Sequence, residues 1–329
     1  MNQELLEILK CPKTGENLLL ENPSYEGNLI KSGILVSEQS KNKYEINNFI
    51  PRFVPISNYA DNFGFQWNHF SNTQLDSNSG HPISSNRFWK ATEWKPEEMK
   101  GKWILDIGCG SGRFAEIALS SECNLVALDY SNAVDACLKN LKHYPNLHVV
   151  QGNVYELPFK KEAFSFVYSL GVLQHTPDVK KSFFCSLPYL KVGGMISVDF
   201  YEKTWKALLL PKFWLRPITK RINKSSLFNF LQKIVPILLS ISIFLEKIHF
   251  LGSLLKRTVP VANYHGILPL SKEQLYEWAL LDTFDWLSPE YDNPQDENTV
   301  RSWFEEAGLL NIKIHRVSHL VANGIKSDK

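Results

Sequence analysis

From Trp103 to Tyr201 short apolar runs alternate with helical patterns, and this alternation constrains the fold more than any other feature of the chain. Trp103–Ile107 leads into Arg113–Ser121, Asn124–Asp129 into Asn132–Tyr144, and Leu147–Gln151 into a loop and short helix. Phe164–Leu170 leads into a helical stretch over Asp178–Leu190, and Met195–Tyr201 follows. Strand and helix in alternation predict a parallel sheet with crossover helices. The strand runs are almost wholly apolar, as expected when helices cover both faces. After Tyr201 the alternation breaks. It resumes with a helix over Glu297–Ala307, closed by Gly308, and two last strands, Asn311–Val317 and about Leu320–Ile325.

Three further stretches differ in texture. Residues 1–55 begin with a helical pattern (Leu5, Leu6, Ile8, Leu9), turn at Cys11-Pro12 and Thr14-Gly15, and continue as short strand-like pieces at Leu18–Leu20, Gly33–Val36 and Tyr44–Ile46. Residues 56–100 form an aromatic connector whose Trp67, Phe70, Phe88, Trp89 and Trp94 need a surface to pack on, and helices laid against the next domain satisfy them. Residues 202–284 are an insertion. The main domain is therefore expected over 101–201 and 285–329.

The strand ends carry the chemistry. Trp103-Ile-Leu-Asp106-Ile-Gly108-Cys-Gly110-Ser-Gly112-Arg-Phe is a buried strand, a glycine-rich turn and a helix start. A dinucleotide fold spaces its glycines as G-x-G-x-x-G; here Arg113 stands where the last would fall. Asp106, two residues before the first glycine, would repel a pyrophosphate and attract a ligand bearing an ammonium and a sulfonium. This disfavours NAD and favours S-adenosylmethionine. Asp129, at the end of the second strand, is placed to accept from both hydroxyls of a ribose, and Tyr130 beside it to cover the adenine. Asn153 offers a donor and an acceptor to the adenine edge, and Leu157 a surface for the ring. Leu170 and the segment through His175 lie at the carboxyl edge of the sheet, where ligands of open α/β folds bind. Asp129 or Asn153 alone would read as a cap or turn residue. The argument rests on four strand ends in order.

Gly101–Gly194 with the closing helix and strands resembles the class I methyltransferases of the ubiquinone/menaquinone-biosynthesis type (methyltransferase type 11). The resemblance implies a Rossmann-like, seven-stranded, mostly parallel sheet in the order 3-2-1-4-5-7-6 with the seventh strand antiparallel. It implies S-adenosylmethionine as cofactor and carries binding roles onto Asp106, Gly108, Gly110, Gly112, Asp129, Asn153, Val154 and Leu170. The family usually has Asp where Asn153 stands. The stretch Leu5–Val54, through Leu6-Glu-Ile-Leu-Lys-Cys11-Pro12, Gly33-Ile-Leu and Ile50-Pro51, is similar to the small zinc-ribbon-like activator subunit of tRNA and protein methyltransferases. Cys11 alone cannot make the roughly four-ligand set of a structural zinc, so no metal is expected.

Methyl transfer from a sulfonium is an in-line displacement, accelerated by positioning. A hydroxyl acceptor would use a general base. His175 is the first candidate; the alternative is a ring that only holds a loop carbonyl. His265, Asp282 and Asp285 are weaker candidates. Arg87 is expected either at the methionine carboxylate or on a solvated helix face. Acceptors in view are a small molecule, a glycan or a lipid-linked intermediate, with a quinone-ring carbon as rival. The resemblance includes enzymes encoded beside surface-polysaccharide genes, which favours a sugar hydroxyl. A catalytically silent nucleoside-binding regulator is the rival outside enzymology.

Between residues 202 and 263, 11 Lys and Arg face two Glu, with Trp205, Phe213, Trp214, Phe228, Phe230, Phe244 and Phe250 among them. That is the composition of a helix in a membrane interface, so this cap either contacts anionic lipid peripherally or is a lid with solvated lysines. Its longest uncharged apolar run, Ile234–Leu245, is shorter than the ~20 residues of a bilayer span. The N-terminal MNQELLEILK has no signal-peptide pattern, and five scattered cysteines make no disulfide framework, so a cytoplasmic location is expected. A formal net charge of +2 gives no footprint for nucleic acid.

Overall fold

The computed structural model describes residues 1–55, 60–204, 210–248 and 252–328. Of the aromatic and basic cap residues, Trp205, Lys206 and Phe250 lie outside this set, as does the first part of the connector, residues 56–59.

The strands are β1 (Leu18–Glu26), β2 (Leu29–Ser37), β3 (Lys43–Asn47), β4 (Ile50–Arg52), β5 (Trp103–Ile107), β6 (Asn124–Asp129), β7 (Leu147–Gln151), β8 (Phe164–Ser169), β9 (Leu190–Phe200), β10 (Leu310–Val317) and β11 (His319–Ile325). The helices are α1 (Gln3–Ile8), α2 (Asp61–His69), α3 (Asp76–Ser79), α4 (Ile83–Thr92), α5 (Pro96–Met99), α6 (Arg113–Leu119), α7 (Ala133–Leu141), α8 (Val179–Ser186), α9 (Pro211–Thr219), α10 (Lys224–Glu246), α11 (Gly252–Leu255), α12 (Lys272–Leu287) and α13 (Glu297–Glu306).

All eleven strands lie in one sheet, ordered β1-β2-β3-β4-β7-β6-β5-β8-β9-β11-β10. Counted from β5, the last seven positions read 3-2-1-4-5-7-6. The central pairs β7–β6–β5–β8–β9 are parallel, and β11 runs antiparallel to both β9 and β10. The α/β reading of the chain is therefore correct, with four strands more than the seven expected. The extra strands come from the N-terminal unit. Its three expected pieces are longer than their apolar cores, and the short β4 was not anticipated across Pro51. Arg52 of β4 pairs in parallel with Gln151 on the open edge of β7, and Phe53 N–H donates to the Gln151 carbonyl at 2.8 Å. An open edge strand is a template for pairing, and here the chain's own N-terminus caps it.

The sheet buries two faces. One holds Leu105, Ile107, Val126, Leu128, Val167, Ile196 and Val198 with α8 and α13, and it is continuous with Leu5, Leu9, Leu35 and Ile46 of the N-terminal unit. The other holds Ile104, Leu125, Ala127, Phe166 and Tyr168 with α4, α6 and α7. The alternation of neighbours between faces is the period-two signature of a strand buried on both sides. The connector aromatics pack as expected: Trp94 lies edge-on to Phe166 (4.8 Å) and Phe88 to Tyr168 (5.2 Å). The cap is a third cluster, in which α10 and α12 bury Leu227, Phe228, Leu231, Val235 and Leu239 against Leu275, Leu280 and Phe284. The expected return to the main domain at residue 285 falls inside α12, a single helix started by a Ser271/Gln274 capping box.

Residues 1–55 share their apolar core with the main sheet. Removing them would expose the β7 edge and several side chains whose burial contributes roughly 1.5–3 kcal/mol each. The truncated chain is expected to melt well below the full chain and to bind a hydrophobic dye. Equal melting temperatures would refute the shared core.

Candidate active site

The first crossover shapes the site. β5 ends at Ile107, and the chain turns through Gly108 (φ +85°), Gly110 (φ +53°) and Gly112 (φ +98°) into α6. These left-handed values suit glycine alone at low cost. A Cβ at Gly108 would sit 2.3 Å from the Val172 side chain, and one at Gly110 would lie 3.1 Å from the Trp67 indole. Gly112 differs: its Cβ would meet Leu141 at 2.6 Å, on the packed side of the turn.

A cavity of about 880 Å³ opens over this turn, at the carboxyl ends of the parallel strands. Gly108, Gly110, Asp129, Tyr130, Val154, Leu170 and His175 all line it. Asp106, Gly112 and Asn153 do not. Asp106 lies beneath the turn, 2% exposed, with one carboxylate oxygen buried and unpartnered. Burial and then the charge of Asp129 push its carboxyl well above the usual range, so it does not present a free carboxylate to the cavity wall. Gly112 is required by packing against Leu141. The Asn153 carboxamide accepts from Tyr155 N–H at 3.0 Å, closing a turn after β7; its neighbours Gly152 and Val154 reach the cavity instead.

Asp129 ties the site together. Its carboxylate accepts from Gly110 N–H (3.0 Å), Ser131 N–H (2.8 Å) and the Ser131 hydroxyl (2.7 Å). Burial raises its carboxyl, against these hydrogen bonds. The Tyr130 backbone adds to these bonds, which orient the carboxylate at the cavity wall where a ribose hydroxyl would lie. The glycine turn, the Asp129 carboxylate at the cavity wall and the adjoining aromatic Tyr130 fit the adenosine of S-adenosylmethionine.

Beyond the turn the cavity is polar and aromatic. His175 is buried; its Nδ1 donates to the Tyr291 carbonyl at 2.9 Å, and its Nε2 is buried with no hydrogen-bond partner among the described residues. Phe63 and Tyr201 flank the ring at 5.2 and 5.5 Å. Asp282 accepts from the Tyr264 hydroxyl and from Gln74 (3.3 Å), and burial pushes it up to about 6. Asp285 accepts from the Tyr201 hydroxyl at 3.3 Å. His265 stands apart: exposed, 3.7 Å from Glu246, and off the cavity wall.

Arg87 is neither on a solvated face nor free. It pairs with buried Asp199 at 2.6 Å while lining the cavity, and Asp199 also accepts from Gly171 N–H. Sequence reasoning missed Arg113, Lys212 and His319. Arg113 lies between Phe114 and Trp278, bonded to Gln74 and Ser84, and burial lowers it to about 10. Lys212 sits over the Tyr201 and Phe213 rings, each at 4.9 Å. Burial holds His319 neutral, down to about 4. No spacing announces these three; they reach the cavity from the start of α6, the cap and the last strand.

Residues 105–198 match the family described as methyltransferase domain. The chain is an S-adenosylmethionine-dependent methyltransferase. It is 26% identical over 247 residues to the demethylmenaquinone methyltransferase of Staphylococcus haemolyticus, covering 73% of this chain and 82% of that protein. It is 26% identical over 113 residues to the ubiquinone biosynthesis O-methyltransferase of Coxiella burnetii, covering 34% of this chain and 48% of that protein. Among solved structures, human N-acetylserotonin methyltransferase in complex with S-adenosylmethionine is similar at 10% identity and a TM-score of 0.45, over 82% of this chain and 57% of that one.

Two predictions follow from this geometry. Asp129→Asn should weaken S-adenosylmethionine binding by roughly 10- to 100-fold in calorimetry, the worth of a charged hydrogen bond and the turn it holds; unchanged affinity would remove Asp129 from the site. Asp282 holds its proton more tightly folded than unfolded, so its contribution to stability is full below about pH 4 and lost as pH rises through about 6. Asp282→Asn, which keeps an acceptor for Tyr264, should therefore be more stable than the parent above pH 6, by about 1–3 kcal/mol, with the gap closing below pH 4. Parallel stability curves across that range would show that Asp282 titrates normally.

Proposed function

We propose that this methyltransferase acts on a hydroxyl of a small-molecule, glycan or lipid-linked acceptor, with His175 as general base. The observation that carries this reading is the state of the His175 ring. A carbonyl only accepts, so the bond to Tyr291 puts a proton on Nδ1, and of the two neutral tautomers it selects the one whose lone pair is on Nε2. The loop carbonyl foreseen as the alternative to catalysis thus fixes the tautomer a base needs. S-adenosylmethionine supplies an electrophilic methyl on a positively charged sulfur. The chain's own residues do the rest. Phe63, Tyr201 and Trp286 narrow the acceptor chamber and keep water from the reacting oxygen. Nε2 would take the proton that the acceptor hydroxyl gives up on receiving the methyl from S-adenosylmethionine. Asp282 and Asp285 offer acceptors to further hydroxyls, which suits a sugar ring.

A second reading, methylation of a quinone-ring carbon, is favoured by the Staphylococcus relative and by the aromatic lining of Phe114, Phe213, Trp278 and Trp286. The N-terminal unit, docked on the β7 edge, serves packing or acceptor presentation in either reading.

His175→Gln should lower kcat by roughly 10²- to 10⁴-fold on a hydroxyl acceptor. Binding of S-adenosylmethionine by the variant should stay within about twofold. Full activity in the variant, or product whose mass and methyl position mark a ring carbon, would overturn the hydroxyl reading.

A further inference from the structure

The cap presents an apolar surface that its own packing does not use. α10 has two apolar stripes. The inner one, Phe228, Leu231, Val235 and Leu239, is buried against α12. The outer one, Phe230, Ile237, Ile241 and Phe244, recurs at helical spacing and lies open, with Phe230 60% and Phe244 68% exposed, and Ile248 just past the helix end is exposed too. From Phe230 to Phe244 the stripe runs about 21 Å. α9 repeats the pattern: Arg216 turns inward to Asp292 at 2.5 Å, while Trp214 (70% exposed) and Ile218, one turn on, face outward. Exposed apolar surface of this extent marks an interaction site.

Charge selects the partner. In residues 210–248 and 252–258, nine Lys and Arg face one acidic residue, Glu246. Arg221, Lys233, Lys247 and Arg257 are exposed, and Lys233 and Lys247 stand beside the outer stripe of α10. A second copy of the chain would bring like charge against this face. An anionic bilayer satisfies both halves, taking the aromatic and aliphatic stripe into the acyl boundary and the basic side chains at the headgroups. The cavity extends into the same region: Phe213, Lys256, Arg257 and Ile267 line it, and Arg257 and Ile267 are also exposed, so it reaches the surface there.

We propose that the α9–α10 face of the cap docks in the headgroup layer of an anionic membrane, with the cavity mouth toward the lipid, so that the acceptor is lipid-borne. The docking stands on the surface alone, whereas the lipid-borne acceptor rests on the methyl-transfer reading. α10 is long and apolar enough to cross a bilayer by length and composition. Its inner stripe is committed to α12, however, so it lies along the surface rather than across it.

The test is flotation of the full chain with vesicles, without acceptor. Phosphatidylcholine vesicles with about 30% phosphatidylglycerol should carry the chain at low salt, pure phosphatidylcholine at least tenfold less, and the anionic binding should fall as salt rises. Phe230→Glu/Phe244→Glu and Lys233→Glu/Lys247→Glu should each lower partitioning at least tenfold, with S-adenosylmethionine affinity and melting temperature unchanged as proof of folding. Absence of anionic binding by the parent chain, or equal binding by the folded variants, overturns the proposal. So does a parent dimer in sedimentation that these variants disperse while vesicles remain unbound. A chain that floats but leaves hydroxyl acceptors unmethylated sinks the hydroxyl reading and leaves the docking intact.

Discussion

The Asp129 carboxylate, shut away from water at the end of β6, accepts from the backbone of the turn that follows β5 and from the turn that follows β6. Two strand ends are thereby held in one geometry by one side chain. A buried anion is costly unless its lone pairs are satisfied, and here the backbone satisfies most of them. The left-handed glycines depend on that anchor, and so does the shape of the cavity floor. Asp106 sits one strand away in a drier place, so the two carboxylates repel. Of the pair, only Asp129 meets the cavity wall, and Asp106 underlies it.

Around that floor the walls come from remote parts of the chain. α2 brings Trp67 over Gly110 and Phe63 beside His175, the cap brings Lys212, Tyr264 and Asp282, and the last strand brings His319. Much of the charge is paired across these elements: Arg87 with Asp199, Arg216 with Asp292. Breaking a buried pair leaves an uncompensated charge, which is far more damaging than the pair is stabilising. The cap is thus keyed to the core by electrostatics as much as by its own apolar cluster. Its inner apolar stripe completes that cluster, and its outer stripe is left for the surroundings.

The legible part of the fold was the part with a period. Alternating apolar runs announced the parallel sheet because each strand is buried on both faces, and the glycine turn stood out because three left-handed residues in five have no other economical spelling. The fourth N-terminal strand was not legible. It is three residues long, contains Pro51, and exists because β7 has an open edge to pair with. Gly112 and Asn153 show the limit of motif reading. A glycine demanded by Leu141 and an asparagine that closes its own turn occupy the positions where ligand contacts were expected.

The sequence by itself determined the alternation of strand and helix that makes a parallel core, the place of the glycine turn and the acidic residue at the end of the second strand, because local periodicity and backbone sterics dictate these; the strand order came from the family resemblance. Only the tertiary structure decided which carboxylate meets the cavity, that the N-terminal unit continues the main sheet, that Tyr291 fixes the His175 ring, and that α10 carries a second, unused apolar face. Each of these depends on groups brought together from distant parts of the chain, and burial and hydrogen-bond partners at such distances have no local signature.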